Sequence, residues 1–368
     1  MQRLRAWCGH RAGPRPLAAA AANRAFCAAA PAAPVPLASV GGVPNVLPHF
    51  PEVRWAMAYG SAAFAQHGQS QASAHSMVDY VFAVEDPRAW HAENLERNPA
   101  HYSWLARTAG AGWVASLGDT DAGVYYNTLV ESVVPARRIK YGVVGAQRLV
   151  DDLRNWSHLY LAGRLHKPVL RLREDAEIDD AAAANVAHAA RAALLLLPPR
   201  FREDELFVEI AGLSYGGDWR MLMGGLGERP SKVSDIVHGR SEEWRSRYKD
   251  ALGELVARGA LSVESSLDGS RTMVQDTSAE ARSLLLQALP AAVLQDVVAA
   301  VNAKPVADWT PAEVVAKASH ERVGALLRES IGKVVRRSSL GQTVKAVLTT
   351  TVGKTVLYVL QKIRNARN

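Results

Sequence analysis

Between Val53 and Tyr59 the chain alternates at period two, with Val53, Trp55, Met57 and Tyr59 on one side, and the alternation stops at Gly60-Ser61. That period fits a strand and not a helix. Ala62 to His67 has helix-favouring composition, and Gly68 to Ser76 is a loop of Gly, Gln, Ser and Ala. Met77 to Val84 then reads as a second strand, carrying a single carboxylate, Asp79. Strand, glycine turn, short helix and strand is a plan that an all-helical bundle cannot accommodate.

The rest of the chain extends this plan. Asp86-Pro87 offers a helix cap with Pro at the first helical position, leading into a helix over Trp90 to Asn98. Val124 to Val130, Arg137 to Val144 and Pro168 to Leu172 read as strands, and Gln147 to Trp156 reads as a helix. Trp156 and Tyr160, four apart, are expected on one helix, with core packing as their role. An Ala-rich helix around 179–197 ends at Pro198-Pro199. Helices and strands alternate without a regular βαβ rhythm, so the expected class is α+β with a mixed sheet. Beyond the Pro pair, Glu242 to Arg258 reads as a helix, and Leu261 to Ser265 pairs with Arg271 to Gln275 around Asp268-Gly269. A helix followed by a hairpin is the plan of a winged helix.

A chain of 368 residues, 48% hydrophobic and 21% charged, is too apolar for disorder and long enough for two packed domains. Its net charge of +7 is unevenly spread. Residues 1–51 contain five Arg and no acid, residues 320–368 hold ten Lys or Arg against Glu321 and Glu329, and the stretch between is net acidic. The winged-helix stretch lies in that acidic middle, which argues against a phosphate-tracking nucleic-acid surface.

The opening stretch, rich in Arg, Ala and Pro without a continuous apolar core, has the composition of an organelle transit peptide. Arg24-Ala25-Phe26 followed by Cys27-Ala28 resembles an arginine-minus-three processing site, which points to the mitochondrial matrix. The two cysteines, Cys8 and Cys27, lie in or beside that segment, so neither a disulfide framework nor a Cys-ligated zinc site is expected in the mature domain. The 11 His show no metal-ligand spacing, which favours a hard cation, Mg²⁺, held by carboxylate and phosphate. No apolar run approaches the roughly 18 residues of a spanning helix.

At the C-terminus, Val344, Val347, Leu348, Val352, Val356, Val359, Leu360 and Ile363 recur at helical spacing among Lys345, Lys354, Lys362, Arg364 and Arg367. A basic amphipathic helix of this kind can lie on an anionic membrane, each cation adding on the order of 1 kcal/mol.

Gly60, Ser61 and Asp79 form the candidate site. Glycine lets backbone approach a phosphate, serine adds a hydroxyl donor, and a following helix start favours anions. A carboxylate on the neighbouring strand is costly there without a cation or hydrogen bonds, so Asp79 is the expected Mg²⁺ ligand. Tyr59-Gly60-Ser61 followed by Met77-Val78-Asp79-Tyr80-Val81-Phe82-Ala83-Val84 resembles the nucleotidyltransferase superfamily.

Further blocks narrow the resemblance. They are Val84-Glu85-Asp86-Pro87 with Trp90-His91 and Asn94, His101-Tyr102-Ser103, Lys140-Tyr141-Gly142-Val143, the run from Trp156 to Val169, and the run from Leu213 to Met221. With these the chain resembles, from about Phe50 to its C-terminus, the mitochondrial phosphatidate cytidylyltransferases, peripheral CDP-diacylglycerol synthases of the translocator assembly and maintenance type. The resemblance implies a nucleotidyltransferase domain over 46–200, a winged-helix domain over 201–320 and a basic membrane-associating segment over 321–368, behind a transit segment over 1–45. It implies conversion of CTP and phosphatidic acid into CDP-diacylglycerol and pyrophosphate, on the matrix face of the inner membrane, for cardiolipin synthesis.

In that reaction Tyr59, Gly60 and Ser61 would face the nucleotide, Lys140 would contact phosphate, and Arg220 would stabilise developing charge. Asp79, with Asp218 as the best second candidate, would hold Mg²⁺; Asp86 reads as a helix cap. Arg164 and Lys167 are open between site and surface roles, and His101 and His158 are expected to be structural. Two departures stand out. Ala62 occupies a position where the family commonly has Gly, and Val81 stands where the superfamily carries its second carboxylate. Val81 sustains an alternative, a non-catalytic factor supporting an inner-membrane protein assembly.

Overall fold

A computed structural model describes residues 39–40, 42–60, 63, 77–134, 137–217, 232–265, 270–302 and 320–349. Strands β1 (Ser39–Val40) and β2 (Val43–Pro44) form a small antiparallel pair. The main sheet has five strands, β3 (Trp55–Tyr59), β4 (Val78–Val84), β5 (Val124–Val134), β6 (Arg137–Gly145) and β7 (Leu170–Arg173), in the order β5-β6-β4-β3-β7. β4 and β6 run parallel and the other neighbours antiparallel, so the sheet is mixed, as the sequence predicts.

Alternation gives the sheet two different faces. Trp55, Met57, Val81, Ala83 and Val144 enter one apolar cluster, while Ala56, Ala58, Tyr80, Phe82, Tyr141 and Val143 enter another with Phe50 and Trp90. Both faces are therefore buried along most of their length. Over the second face lie α1 (Pro87–Arg97) and α2 (Trp104–Asp119). Asp86 caps α1 as expected, its Oδ1 accepting from the backbone N–H of Arg88 at 2.8 Å and of Ala89 at 3.2 Å.

On the first face, α3 (Ala146–Asn155) ends one residue earlier than predicted. Trp156 takes the left-handed conformation (φ 53°), so Trp156 and Tyr160 do not share a helix. The cause is Asp152, a buried carboxylate that accepts backbone N–H groups from His158 (2.8 Å), Leu159 (2.9 Å) and Ala162 (3.2 Å). This turns the chain away from the helix axis and into the short α4 (Ala162–Leu165). Trp156 does pack in the core, with its indole N–H donating to Asn185 at 2.7 Å.

The Ala-rich helix α5 (Ala176–Leu196) packs against α3 and α4 and against helices of the following part of the chain. There β8 (Arg200–Arg202) precedes α6 (Glu203–Leu213), α7 (Lys232–Val237) and α8 (Ser241–Ala257). The predicted hairpin is β9 (Leu261–Ser265) against β10 (Arg271–Gln275), and β8 adds a third strand beside β10. Helices α9 (Ala279–Gln287), α10 (Ala291–Asn302) and α11 (His320–Thr349) complete the described chain.

The first part of the predicted membrane segment is packed on the protein body. Val323, Leu327, Ile331 and Val335 of α11 are buried, with α11 lying against α5 and α10. Lys345, expected among the membrane-facing cations, is buried instead, donating to the carbonyl oxygens of Gly118 at 3.1 Å and of Thr120. The carbonyls at the end of α2 need donors, and a lysine with a long apolar stem supplies them. Residues 350–368 of that segment lie outside the described residues, as do residues 1–38 of the predicted transit stretch. No helix among the described residues is long and apolar enough to cross a membrane.

Candidate active site

The register of the sheet brings three predicted site residues abreast. Tyr59 at the end of β3 pairs with Asp79 of β4, and Asp79 pairs with Lys140 of β6. Gly60 follows Tyr59 with φ +85°, a conformation that suits glycine, and a Cβ there would stand 3.4 Å from Asp79 Oδ2. Lys140 Nζ is 3.4 Å from Asp79 Oδ1, within ion-pair reach. Oδ1 is nevertheless buried without a hydrogen-bond partner among the described residues. A carboxylate oxygen in that state is suited to a cation or to a ligand's hydrogen.

Asp79 and Lys140 lie on the same face as Met57, Val81 and Val144, at the end where the apolar cluster gives way to polar groups. Val81 is fully buried in that cluster, so the superfamily's second carboxylate position is core here.

Three tyrosines floor the site. Lys140 Nζ lies 4.5 Å from the centre of the Tyr126 ring, and the Tyr126 and Tyr59 hydroxyls are 3.5 Å apart. Tyr126 lies this close to β6 because residue 142 is glycine: a Cβ there would meet the ring at 2.6 Å. Tyr160 stands edge-on to Tyr126, with ring centres 6.5 Å apart. Arg164 of α4 lies over Tyr160 at 3.9 Å and within 5.5 Å of the Tyr59 ring centre, while its Nη1 donates to the Tyr160 carbonyl at 2.7 Å. Burial holds the Tyr126 phenol well above its ordinary pKa, so it stays neutral at physiological pH.

Beyond α4, Lys167 Nζ donates to Gly163 O and to Ser214 Oγ, both at 2.8 Å, and lies 4.9 Å from the Tyr215 ring centre. Two family-like blocks thus meet here. Ser61, Asp218 and Arg220 lie outside the described residues. Among the described residues no three His, Cys, Asp or Glu side chains cluster as a metal site, which leaves Asp79 as the carboxylate on this floor that could hold a cation.

Other family-like blocks are scaffold. His91 Nδ1 is 2.8 Å from Tyr102 OH, Asn94 Nδ2 donates to Tyr102 OH (2.8 Å) and Tyr141 OH (3.0 Å), and His101 Nδ1 is 3.1 Å from Tyr141 OH. This network is buried on the opposite face of the sheet, and burial pushes His91 down to about 3, keeping it neutral. Sequence reasoning did not find Tyr126 or Asp152. Neither carries a motif, although a glycine on the adjoining strand at residue 142 marks the space that Tyr126 fills.

The family model described as "Phosphatidate cytidylyltransferase, mitochondrial" matches residues 43–365. A zebrafish (Danio rerio) protein named mitochondrial phosphatidate cytidylyltransferase is 38% identical over 332 residues, covering 87% of this chain and 93% of its own length. Its bovine (Bos taurus) namesake is 37% identical over 323 residues, covering 87% and 92%. The human (Homo sapiens) one is 37% identical over 310 residues, covering 83% and 66%. With these blocks in order along almost the whole chain, and with Tyr59, Asp79 and Lys140 abreast on one sheet, the chain belongs to the mitochondrial phosphatidate cytidylyltransferase family.

Proposed function

We propose that this protein is a Mg²⁺-dependent phosphatidate cytidylyltransferase, forming CDP-diacylglycerol and pyrophosphate from CTP and phosphatidic acid. The observation that carries this reading is the placement of Tyr59, Asp79 and Lys140 abreast on β3, β4 and β6, with Gly60 directly after β3, in a chain of this family. Gly60 leaves room for a phosphate at the strand end, and Lys140 supplies positive charge beside it. Asp79 would hold the Mg²⁺, its buried Oδ1 having no hydrogen-bond partner among the described residues, with Asp218 as the proposed second ligand. Bound there, the ion would neutralise triphosphate charge.

A phosphate oxygen of phosphatidic acid attacks the α-phosphorus of CTP as the bond to pyrophosphate breaks. The monoester is already ionised near neutral pH, so no general base is needed. The chain contributes positioning and charge, including Arg220 for developing negative charge. The test is pyrophosphate release by purified protein given CTP, Mg²⁺ and accessible phosphatidic acid. Wild-type protein should turn over and Asp79→Asn should not; equal inertness of both would overturn the reading.

One observation favours a second reading. Val81, where a second carboxylate would stand, is sealed in the core, as it would be in a nucleotidyltransferase fold serving only as an assembly factor. Equal inertness in the same assay is the result that reading expects.

We place the protein on the matrix side of the mitochondrial inner membrane, supplying cardiolipin synthesis. The arginine-rich, acid-free first 51 residues and the mitochondrial names of the relatives support this. The β8-to-β10 part we read as a winged-helix module. The membrane contact is assigned to residues 350–368, where Lys354, Lys362, Arg364 and Arg367 accompany Val352, Val356, Leu360 and Ile363. Deleting 350–368 should reduce flotation with cardiolipin-containing liposomes, and unchanged flotation would remove that role.

A further inference from the structure

A guanidinium withdrawn from water is ordinarily matched by a carboxylate, because the cost of desolvating the cation is otherwise unrecovered. Arg164 breaks this pattern. It is partly buried, and among the described residues no carboxylate lies within ion-pair distance of it. Its surroundings are the faces of Tyr160 and Tyr59, which attract a cation without neutralising it, and its side chain also hydrogen-bonds Tyr59. One of its N–H donors goes to the Tyr160 carbonyl.

The segment bearing Arg164 is held from both sides. From α8, Arg247 donates through Nε to Leu165 O at 2.9 Å, and Tyr248 OH donates to His166 O at 2.8 Å. Lys167 ties the next turn to Gly163 O and to Ser214 Oγ. These bonds satisfy the carbonyl oxygens at the end of a four-residue helix and thereby fix the backbone that carries Arg164. The place it occupies is defined by Tyr59, whose ring it approaches, whose hydroxyl meets that of Tyr126 under Lys140, and whose neighbour is Gly60. Arg164 and Lys140 thus lie against rings of the same tyrosine pair, with Gly60 next in the chain after Tyr59.

We propose that Arg164, on its tyrosine platform, binds a phosphate oxyanion of the reacting pair. This deepens the cytidylyltransferase reading and rests on it for the identity of that pair. The planar fork of a guanidinium matches phosphate oxygens two at a time, and stacking on tyrosine preserves the orientation that such pairing needs. Two sources carry this chemistry: the triphosphate of the nucleotide, and the phosphate monoester of the lipid.

The experiment compares full-length wild type with Arg164→Gln and Arg164→Lys by calorimetric titration with inorganic pyrophosphate and by co-flotation with phosphatidylcholine vesicles with and without phosphatidic acid. Arg164→Gln should weaken one of these interactions by about 10- to 100-fold, with Arg164→Lys between it and wild type. Weaker pyrophosphate binding assigns Arg164 to the nucleotide; loss of the phosphatidic-acid-dependent part of flotation assigns it to the acceptor. Thermal melting without ligand should be unchanged or slightly raised in Arg164→Gln, because an unmatched cation has been removed, whereas a purely structural arginine would show a lower melting point and unchanged binding. Wild-type values for both interactions would overturn the proposal. Should Arg164→Gln not fold, Arg164→Lys decides, with wild-type binding again the refuting result. Both readouts are independent of turnover, so a wild-type protein that makes no CDP-diacylglycerol would defeat the cytidylyltransferase reading while leaving this one decided by binding.

Discussion

Lys140 and Tyr141 are neighbours on β6, yet they serve two regions with opposite rules. Lys140 points to a face where, among the described residues, charges are held without full satisfaction: Asp79 Oδ1 has no hydrogen bond there, and Arg164 no carboxylate. Tyr141 points to a face where neutral polar groups bond largely to one another, through Asn94, Tyr102, His91 and His101, with Asn127 Nδ2 the buried atom there that has no hydrogen-bond partner among the described residues. A charge left incompletely partnered in a folded protein carries a large cost that a ligand can relieve, whereas a neutral network that bonds largely within itself specifies the scaffold. Family resemblance by itself does not separate the two, since both residues sit in one four-residue block.

The largest expected effect separates the faces by activity. Asp79→Asn should lower turnover by about 100-fold or more, while changing stability by no more than about 1 kcal/mol, because its pair with Lys140 is partly exposed. Pyrophosphate release and denaturant unfolding on the same preparation measure the two numbers. A large loss of stability would put Asp79 with the scaffold and erase the contrast.

Acid should act through buried histidines. Burial lowers His91 and His166 from 6.5 in an open chain to about 3 in the folded protein. The unfolded state then binds more protons between those values, so the stability they contribute is complete above about pH 6.5 and is lost as pH falls toward 3. At pH 5 the loss is about 2 kcal/mol per histidine relative to pH 7. His91→Gln should flatten the pH dependence of unfolding by roughly half of that combined loss; an unchanged slope would show that His91 titrates normally.

The smallest effect tests the network directly. Tyr141→Phe removes the oxygen shared by Asn94 and His101 and should cost about 1 to 2 kcal/mol in denaturant unfolding. The KM for CTP should be unchanged. A shift in KM with stability intact would mean that the network tunes the site as well as supporting the sheet.

Much of this arrangement is legible from the sequence because it follows from local rules. Period-two alternation locates β3, Asp86-Pro87 starts α1, and the hairpin bounds match those read from Leu261 to Ser265 and Arg271 to Gln275. Asp79 and Lys140 carry charge on strands, which is unusual enough to notice. What escapes the sequence depends on contacts between distant residues. Asp152 ends α3 by collecting N–H groups up to ten residues away, and nothing in its neighbours announces that. Lys345 looks like one more cation of an amphipathic tail until the end of α2, more than two hundred positions earlier, is seen to need it. Arg164 is visible as a residue, but its position against Tyr160 and Tyr59, with no carboxylate in ion-pair reach among the described residues, is a property of the folded surroundings.

The parallel pairing of β4 with β6 has a consequence for how the molecule avoids misassembly. A strand displaced by one position exchanges its two faces. Such a slip would drive Lys140 into the nest of Phe50, Phe82 and Trp90 that now surrounds the Tyr141 ring, where an ammonium would find no anion. The aromatic nest therefore acts against a one-residue slip during folding, and in the register observed the lysine arrives beside Asp79.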